Sequence, residues 1–211
     1  MSNIRHISYV FAMFLFLGAC FTSSVSAQVL ATGETGGQGN SAVLLSANGI
    51  VPDGLGLLNV YGQYVYGVTD WLDFGPIYGN VSALGRTQHY VGFGWNTTLL
   101  RRNHVGVDVS FFGVATVPIN KRNEASTVFT APAIVVSRPV TVNGKSVSLY
   151  SGLNSNVPVG QRSDKLFTPP ETVWNVPIGA STAVSGSWLL FGEVDVRNGV
   201  EAVGLGLVRT F

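Results

Sequence analysis

Val203-Gly204-Leu205-Gly206-Leu207-Val208-Arg209-Thr210-Phe211 end the chain, and their alternation decides the fold. Val203, Leu205, Leu207 and Phe211 share one parity. The small or mild residues Ala202, Gly204, Gly206 and Thr210 hold the other. Successive side chains of an extended backbone point to opposite faces, so this spacing predicts a strand with one apolar face. The strand runs to the terminal phenylalanine.

The same nine residues resemble the closing strand of bacterial outer-membrane β-barrels, where the barrel-assembly machinery reads a C-terminal aromatic. Arg209 departs from that pattern, standing where the family usually has an aromatic or apolar residue. The resemblance implies an antiparallel up-and-down transmembrane β-barrel. It also implies Val203, Leu205, Leu207 and Phe211 as the assembly signal, with outer-membrane lipid and the assembly machinery as partners. An edge strand of a soluble β protein fits the stretch as well.

The other end of the chain reads as an export leader. Arg5 and His6 precede an uninterrupted apolar run from Tyr9 to Phe21, and Thr22 to Ala27 supplies small residues. This predicts a signal peptide over 1–27, cleaved between Ala27 and Gln28. The run is too short for a spanning helix, which needs about 20 residues. Leu17-Gly18-Ala19-Cys20 offers a rival lipobox, with Cys20 lipidated. Cys20 is the only cysteine, so cleavage after Ala27 leaves no disulfide and no thiolate metal ligand. Losing Arg5 leaves equal numbers of acidic and basic residues, and a neutral chain without a basic cluster argues against nucleic acid.

Residues 28–40 are small, polar and glycine-rich and read as a flexible lead-in; 41–211 read as one β domain. About ten strands are predicted, near 41–48, 54–66, 71–83, 88–100, 104–116, 126–138, 145–156, 172–184, 187–197 and 200–211; eight or twelve are the neighbouring counts. Such lengths suit tilted strands across a bilayer. Short turns are expected at 67–70, 101–103, 143–144 and 185–186, with longer polar loops at 85–87, 118–125 and 157–171. The connection at Asn198-Gly199 is short where a long loop is expected. Asn143-Gly144 carries the strongest hairpin signal. Pro76, Pro132, Pro139 and Pro177 oppose the scheme, because proline cannot donate to a ladder.

A tryptophan follows a polar turn twice, in Val68-Thr69-Asp70-Trp71-Leu72-Asp73-Phe74-Gly75 and in Val184-Ser185-Gly186-Ser187-Trp188-Leu189-Leu190-Phe191-Gly192. Trp71 and Trp188 suit the membrane interface, where an amphipathic ring is favoured. Anchoring in a core is the rival reading. This cadence also resembles transporter-like barrels such as the MetA-pathway phenol-degradation family.

Alternation then assigns faces. Trp188, Leu190, Val194 and Val196 oppose Phe191, Glu193, Asp195 and Arg197; Val105, Val107, Val109 and Phe111 oppose Asp108 and Ser110. Val91, Phe93, Trp95 and Leu99 oppose Gly92, Gly94, Asn96 and Thr98; Leu72, Phe74 and Tyr78 oppose Asp73 and Gly75. A basic residue facing lipid costs about 2–4 kcal/mol at mid-bilayer. Asp73, Asp108, Glu193, Asp195 and Arg197 are therefore expected to line the lumen. Period alone also fits a soluble barrel turned inside out, since a one-residue slip flips every side chain. The sparse charge and many large aromatics favour the membrane version.

No catalytic, metal or cofactor motif is present: the Gly-x-Ser-x-Gly, His-Glu-x-x-His and P-loop patterns are all missing. His89 and His104 read as solvated histidines near strand ends. The sequence supports a non-enzymatic outer-membrane barrel, structural or porin-like, with a small solute as a further partner. A barrel of about ten strands is usually filled by its side chains. The loop 161–170 is the expected outer surface. The alternatives are an outer-membrane lipid-modifying enzyme, which would need His89 or His104, and a secreted or lipid-anchored soluble β protein.

Overall fold

The computed structural model describes residues 35–50, 56–119, 128–130, 132–159, 173–196 and 200–211. The strands are β1 (Ser41–Ile50), β2 (Leu57–Thr69), β3 (Leu72–Ala83), β4 (Arg86–Leu100), β5 (Asp108–Pro118), β6 (Val128–Thr130), β7 (Ala133–Val142), β8 (Lys145–Val159), β9 (Val173–Ser185), β10 (Trp188–Val196) and β11 (Val200–Thr210). One helical turn, α1 (Arg102–Val105), joins β4 to β5.

Each strand pairs antiparallel with its neighbours, and β6 and β7 are two pieces of one stave between β5 and β8. β11 pairs with β1 through nine positions, from Ala42↔Thr210 to Ile50↔Ala202. That pairing closes the sheet into a ten-stave barrel among the described residues. The last residue is itself tied in: the Phe211 N–H donates to the Ser41 carbonyl at 2.9 Å. Closure removes the exposed edges that any open sheet would leave.

The two faces are opposite in chemistry. Leu45, Tyr64, Phe74, Phe93, Leu190 and Leu205 point outward and are exposed, Leu205 to 63%. Asn48, Ser110, Glu193 and Asp195 point inward and are buried. A soluble barrel places its apolar side inside. This one presents apolar side chains to its surroundings, so hydrocarbon is the solvent that stabilises it. The architecture is an antiparallel up-and-down transmembrane β-barrel. The described helix is far too short to cross a bilayer; crossing is by strands.

Several expected boundaries move. The segment 104–116 begins as helix: His104 and Val105 lie in α1, and β5 starts at Asp108. The Asp108 carboxylate accepts the Arg102 N–H at 2.8 Å, which ties the helical turn to the first residue of β5. Gly85–Thr87, expected as a longer loop, is a two-residue hairpin at Leu84-Gly85, with φ of 49° and 73°. It matches Asn143-Gly144, with φ of 50° and 76°, in the positive-φ pairing that twisted hairpins require. The turn expected at 67–70 sits at Asp70-Trp71, because β2 continues to Thr69. That expected at 185–186 sits at Gly186-Ser187.

The prolines are accommodated by suspending the ladder on one side only. Pro76 pairs with Phe93 of β4, while the β2–β3 pairing skips from Gln63↔Ile77 to Tyr66↔Phe74 without changing register. Pro177 pairs with Asp195 of β10, while the β8–β9 pairing skips from Ser151↔Ile178 to Asn154↔Asn175. There the Ser151 hydroxyl donates to the Pro177 carbonyl at 2.9 Å, replacing a lost ladder partner. Pro139 lies beyond the last β5–β7 pair, Asp108↔Ser137. Pro132 falls in the break between β6 and β7, which is why 126–138 alternates poorly.

Candidate functional site in the barrel interior

Register places a polar belt around the inside. Reading across strands, Asp108 pairs with Ser137, Ser137 with Tyr150, Tyr150 with Gly179, Gly179 with Glu193, Glu193 with Gly204, Gly204 with Asn48, and Asn48 with Asn59. The two glycines leave room on either side of Glu193. Tyr150 leans across Gly179 toward the Glu193 carboxylate, and Tyr61 lies close enough to feel both Glu193 and Asp195.

Rings packed over glycines fill the bore. Tyr90 covers Gly79, Tyr150 covers Gly179, and Phe191 covers Gly206; a Cβ at any of these glycines would meet the ring, and at Gly79 also the Tyr61 Cβ. Asn48 and Ser110 are 0% exposed and Phe191 and Asp195 1%, so water does not reach them from either mouth. Hydrogen bonds fix part of this packing. The Tyr90 hydroxyl donates to Asn59 Oδ1 at 2.8 Å, and the Ser46 hydroxyl to Asn48 Oδ1 at 3.0 Å. Among the described residues, both polar atoms of Asn154 and the Ser137, Ser148 and Ser181 hydroxyls find no hydrogen-bond partner, while the Tyr150 hydroxyl faces the Glu193 carboxylate. The bore is therefore packed and lined by polar side chains.

Asp73 and Asp108 face inward near the end that carries the short turns. Asp73 Oδ2 accepts the Gly36 N–H at 2.7 Å. The segment 35–40 crosses this mouth and is stitched to it through Gln38 N–H to Asp70 Oδ1 at 3.2 Å and Gly39 N–H to the Gly67 carbonyl at 2.8 Å. Besides the Arg102 N–H, Asp108 faces the Arg102 guanidinium at 3.9 Å. Both aspartates thus secure backbone at this mouth, Asp73 ahead of β1 and Asp108 in the β4–β5 connection, whereas Glu193 and Asp195 lie farther along the strands from it. Arg197 lies outside the described residues, as do residues 1–34, the Asn198-Gly199 connection and the loop 161–170.

On the outer face, Val203, Leu205 and Phe211 are exposed and Leu207 half-buried. Trp71 and Trp188 stand at the two neighbouring short turns, both at the end where the chain terminates. Arg209 lies between rings, its guanidinium carbon 5.3 Å from the Trp188 ring centre and 4.9 Å from that of Phe211. His89 is outward on β4 and shares a 3.0 Å hydrogen bond with the Tyr78 hydroxyl. His104 is exposed on α1 at the opposite end, so the two histidines form no common centre.

Sequence reasoning missed Tyr61, Tyr90, Tyr150, Asn48 and Asn59 as members of the interior site. One signal was available. The Leu84-Gly85 hairpin fixes Gly79 opposite Tyr90, so a glycine facing an aromatic on the inner parity was readable once that turn was recognised. The other ring and glycine partners lie on longer connections whose register no local pattern sets.

No protein-family model and no curated protein sequence matches the chain. Among solved structures, it is similar to a de novo designed transmembrane β-barrel at 15% identity and TM-score 0.38, covering 82% of this chain and 97% of that one. It is also similar to an outer membrane channel from Pseudomonas putida F1 at 13% identity and TM-score 0.42, covering 88% and 100%. The translocator domain of the autotransporter NalP from Neisseria meningitidis gives 11% identity and TM-score 0.40, covering 81% and 86%.

Proposed function

We propose that the chain is a bacterial outer-membrane β-barrel, exported by its N-terminal signal peptide and cleaved after Ala27. Its role is structural or porin-like and non-enzymatic. The observation that carries this reading is the inversion of faces: apolar side chains cover the outside while Glu193, Asp195, Asn48 and Ser110 are buried within. The C-terminal strand, with Val203, Leu205, Leu207 and Phe211 outward, is the segment for the assembly machinery. Both chain ends then lie on the periplasmic side with the short turns.

The rings of Tyr150, Phe191 and Tyr90, with buried Tyr61 beside them, close the bore at rest, as expected for a ten-strand barrel. A small polar solute would meet the polar side chains around Tyr150, Glu193 and Asn154, and passage would require those rings to move. The test is refolding of 28–211 with and without detergent, scored by heat-modifiable migration and β content. A folded species only in detergent supports the reading; a folded, monodisperse protein in plain buffer overturns it. Planar-bilayer recording then separates the two roles, since a closed barrel is silent and a porin-like one conducts.

A further inference from the structure

The departure at Arg209 has a structural use. Arg209 sits on the outward parity of β11, paired with Trp188 on one side and Val43 on the other. The next outward row is Leu190, Leu207 and Leu45. Two residues along a strand advance about 7 Å, so the guanidinium stands one step past an apolar band. Trp188 and Phe211 flank it, at 5.3 and 4.9 Å. Aromatic residues mark the headgroup level of a bilayer.

The rings engage the guanidinium through its charge and its flat face, while five N–H donors remain around the edge. Among the described residues the Arg209 guanidinium has no acidic partner and no side-chain hydrogen bond; it touches the two rings. A cation held in place, with unused donors and a membrane boundary in front of it, lacks an anion of matching geometry. Phosphate accepts such a fork in bidentate fashion.

We infer that Arg209, clamped by Trp188 and Phe211, binds the phosphate of an anionic phospholipid at the short-turn rim of the barrel. A zwitterionic headgroup carries its own cation beside the phosphate, so a net-anionic lipid is preferred. The site rests on the membrane reading above and adds to it a ligand class and the residue that selects it.

The mature chain is refolded into phosphatidylcholine vesicles containing a minority of phosphatidylglycerol. It is then extracted gently, and the retained lipid is counted by native mass spectrometry. The wild type retains phosphatidylglycerol above its share of the bilayer, and Arg209→Gln lowers that enrichment roughly five-fold. Arg209→Lys, which keeps charge but not the flat stack, falls between. Arg101→Gln, whose guanidinium is used on the Asp70 carbonyl, behaves as wild type. Should Arg209→Gln fail to fold, Trp188→Leu removes half the clamp and carries the same expectation. Insertion with no enrichment, or equal enrichment in wild type and Arg209→Gln, overturns the site alone. Failure of the wild type to insert into any bilayer overturns the membrane reading and the site together.

Discussion

Replacing Gly179 with alanine puts a methyl group where the Tyr150 ring now lies. The added Cβ would be 2.6 Å from Tyr150 Cε2 and closer still to Cζ and the hydroxyl oxygen, and no other residue is among its nearest neighbours. Tyr150 is 3% exposed, so its ring has little free space to turn into. Overpacking of this kind costs about 1–3 kcal/mol. Tyr150→Ala alone removes a buried aromatic ring and costs about 3–5 kcal/mol. Any loss of the hydroxyl's approach to Glu193 is common to Tyr150→Ala and the double variant, so it cancels from the coupling. In the double variant the clash is gone and the new methyl occupies part of the space the ring left. The pair is therefore expected to be about as stable as Tyr150→Ala alone, a favourable coupling of about 1–3 kcal/mol. Urea unfolding of the barrel in detergent micelles, followed by tryptophan fluorescence, reads all four corners of the cycle. Additive costs, or a Gly179→Ala variant as stable as wild type, would refute the claim that the ring is pinned across the glycine.

Three other outcomes follow from the same geometry. Leu205→Arg places a cation on the exposed face of the closing strand and should cost about 2–4 kcal/mol of stability in a bilayer; a change under about 0.5 kcal/mol on vesicle refolding would mean that Leu205 does not meet hydrocarbon. Asp108→Ala removes the acceptor for the Arg102 N–H and should cost about 1–2 kcal/mol in the same unfolding assay, most of it from that backbone hydrogen bond, because the Arg102 side chain is 45% exposed. Tyr150→Ala combined with Phe191→Ala removes two of the rings that close the bore, so planar bilayers should record conductance from this variant above the wild-type level. Equal currents would show that other side chains set the constriction.

The strand positions and both faces of the hairpins were legible from the chain, because the period of two is a local property of extended backbone. Asp73, Asp108, Glu193 and Asp195 fall by that rule on the parity opposite the apolar residues, and all four are buried. What each one does was not legible. Asp73 and Asp108 secure backbone N–H groups of Gly36 and Arg102 at one mouth, while Glu193 shares the mid-barrel belt with Tyr150 and Asn48. Those roles depend on partners far apart in the chain. The hairpin at Leu84-Gly85 was missed because leucine rarely takes positive φ, and the strand pairing supplies the constraint that holds it there.

Alternation by itself determined where strands run and which residues share a face, since neighbouring side chains of an extended chain must point opposite ways. It could not determine which face looks outward, because the two choices have the same period. Closure of β11 on β1 decides that: curvature gives the inner face little room, so glycines and the rings that cover them fill it, and the larger outer surface takes the leucines, valines and remaining aromatics.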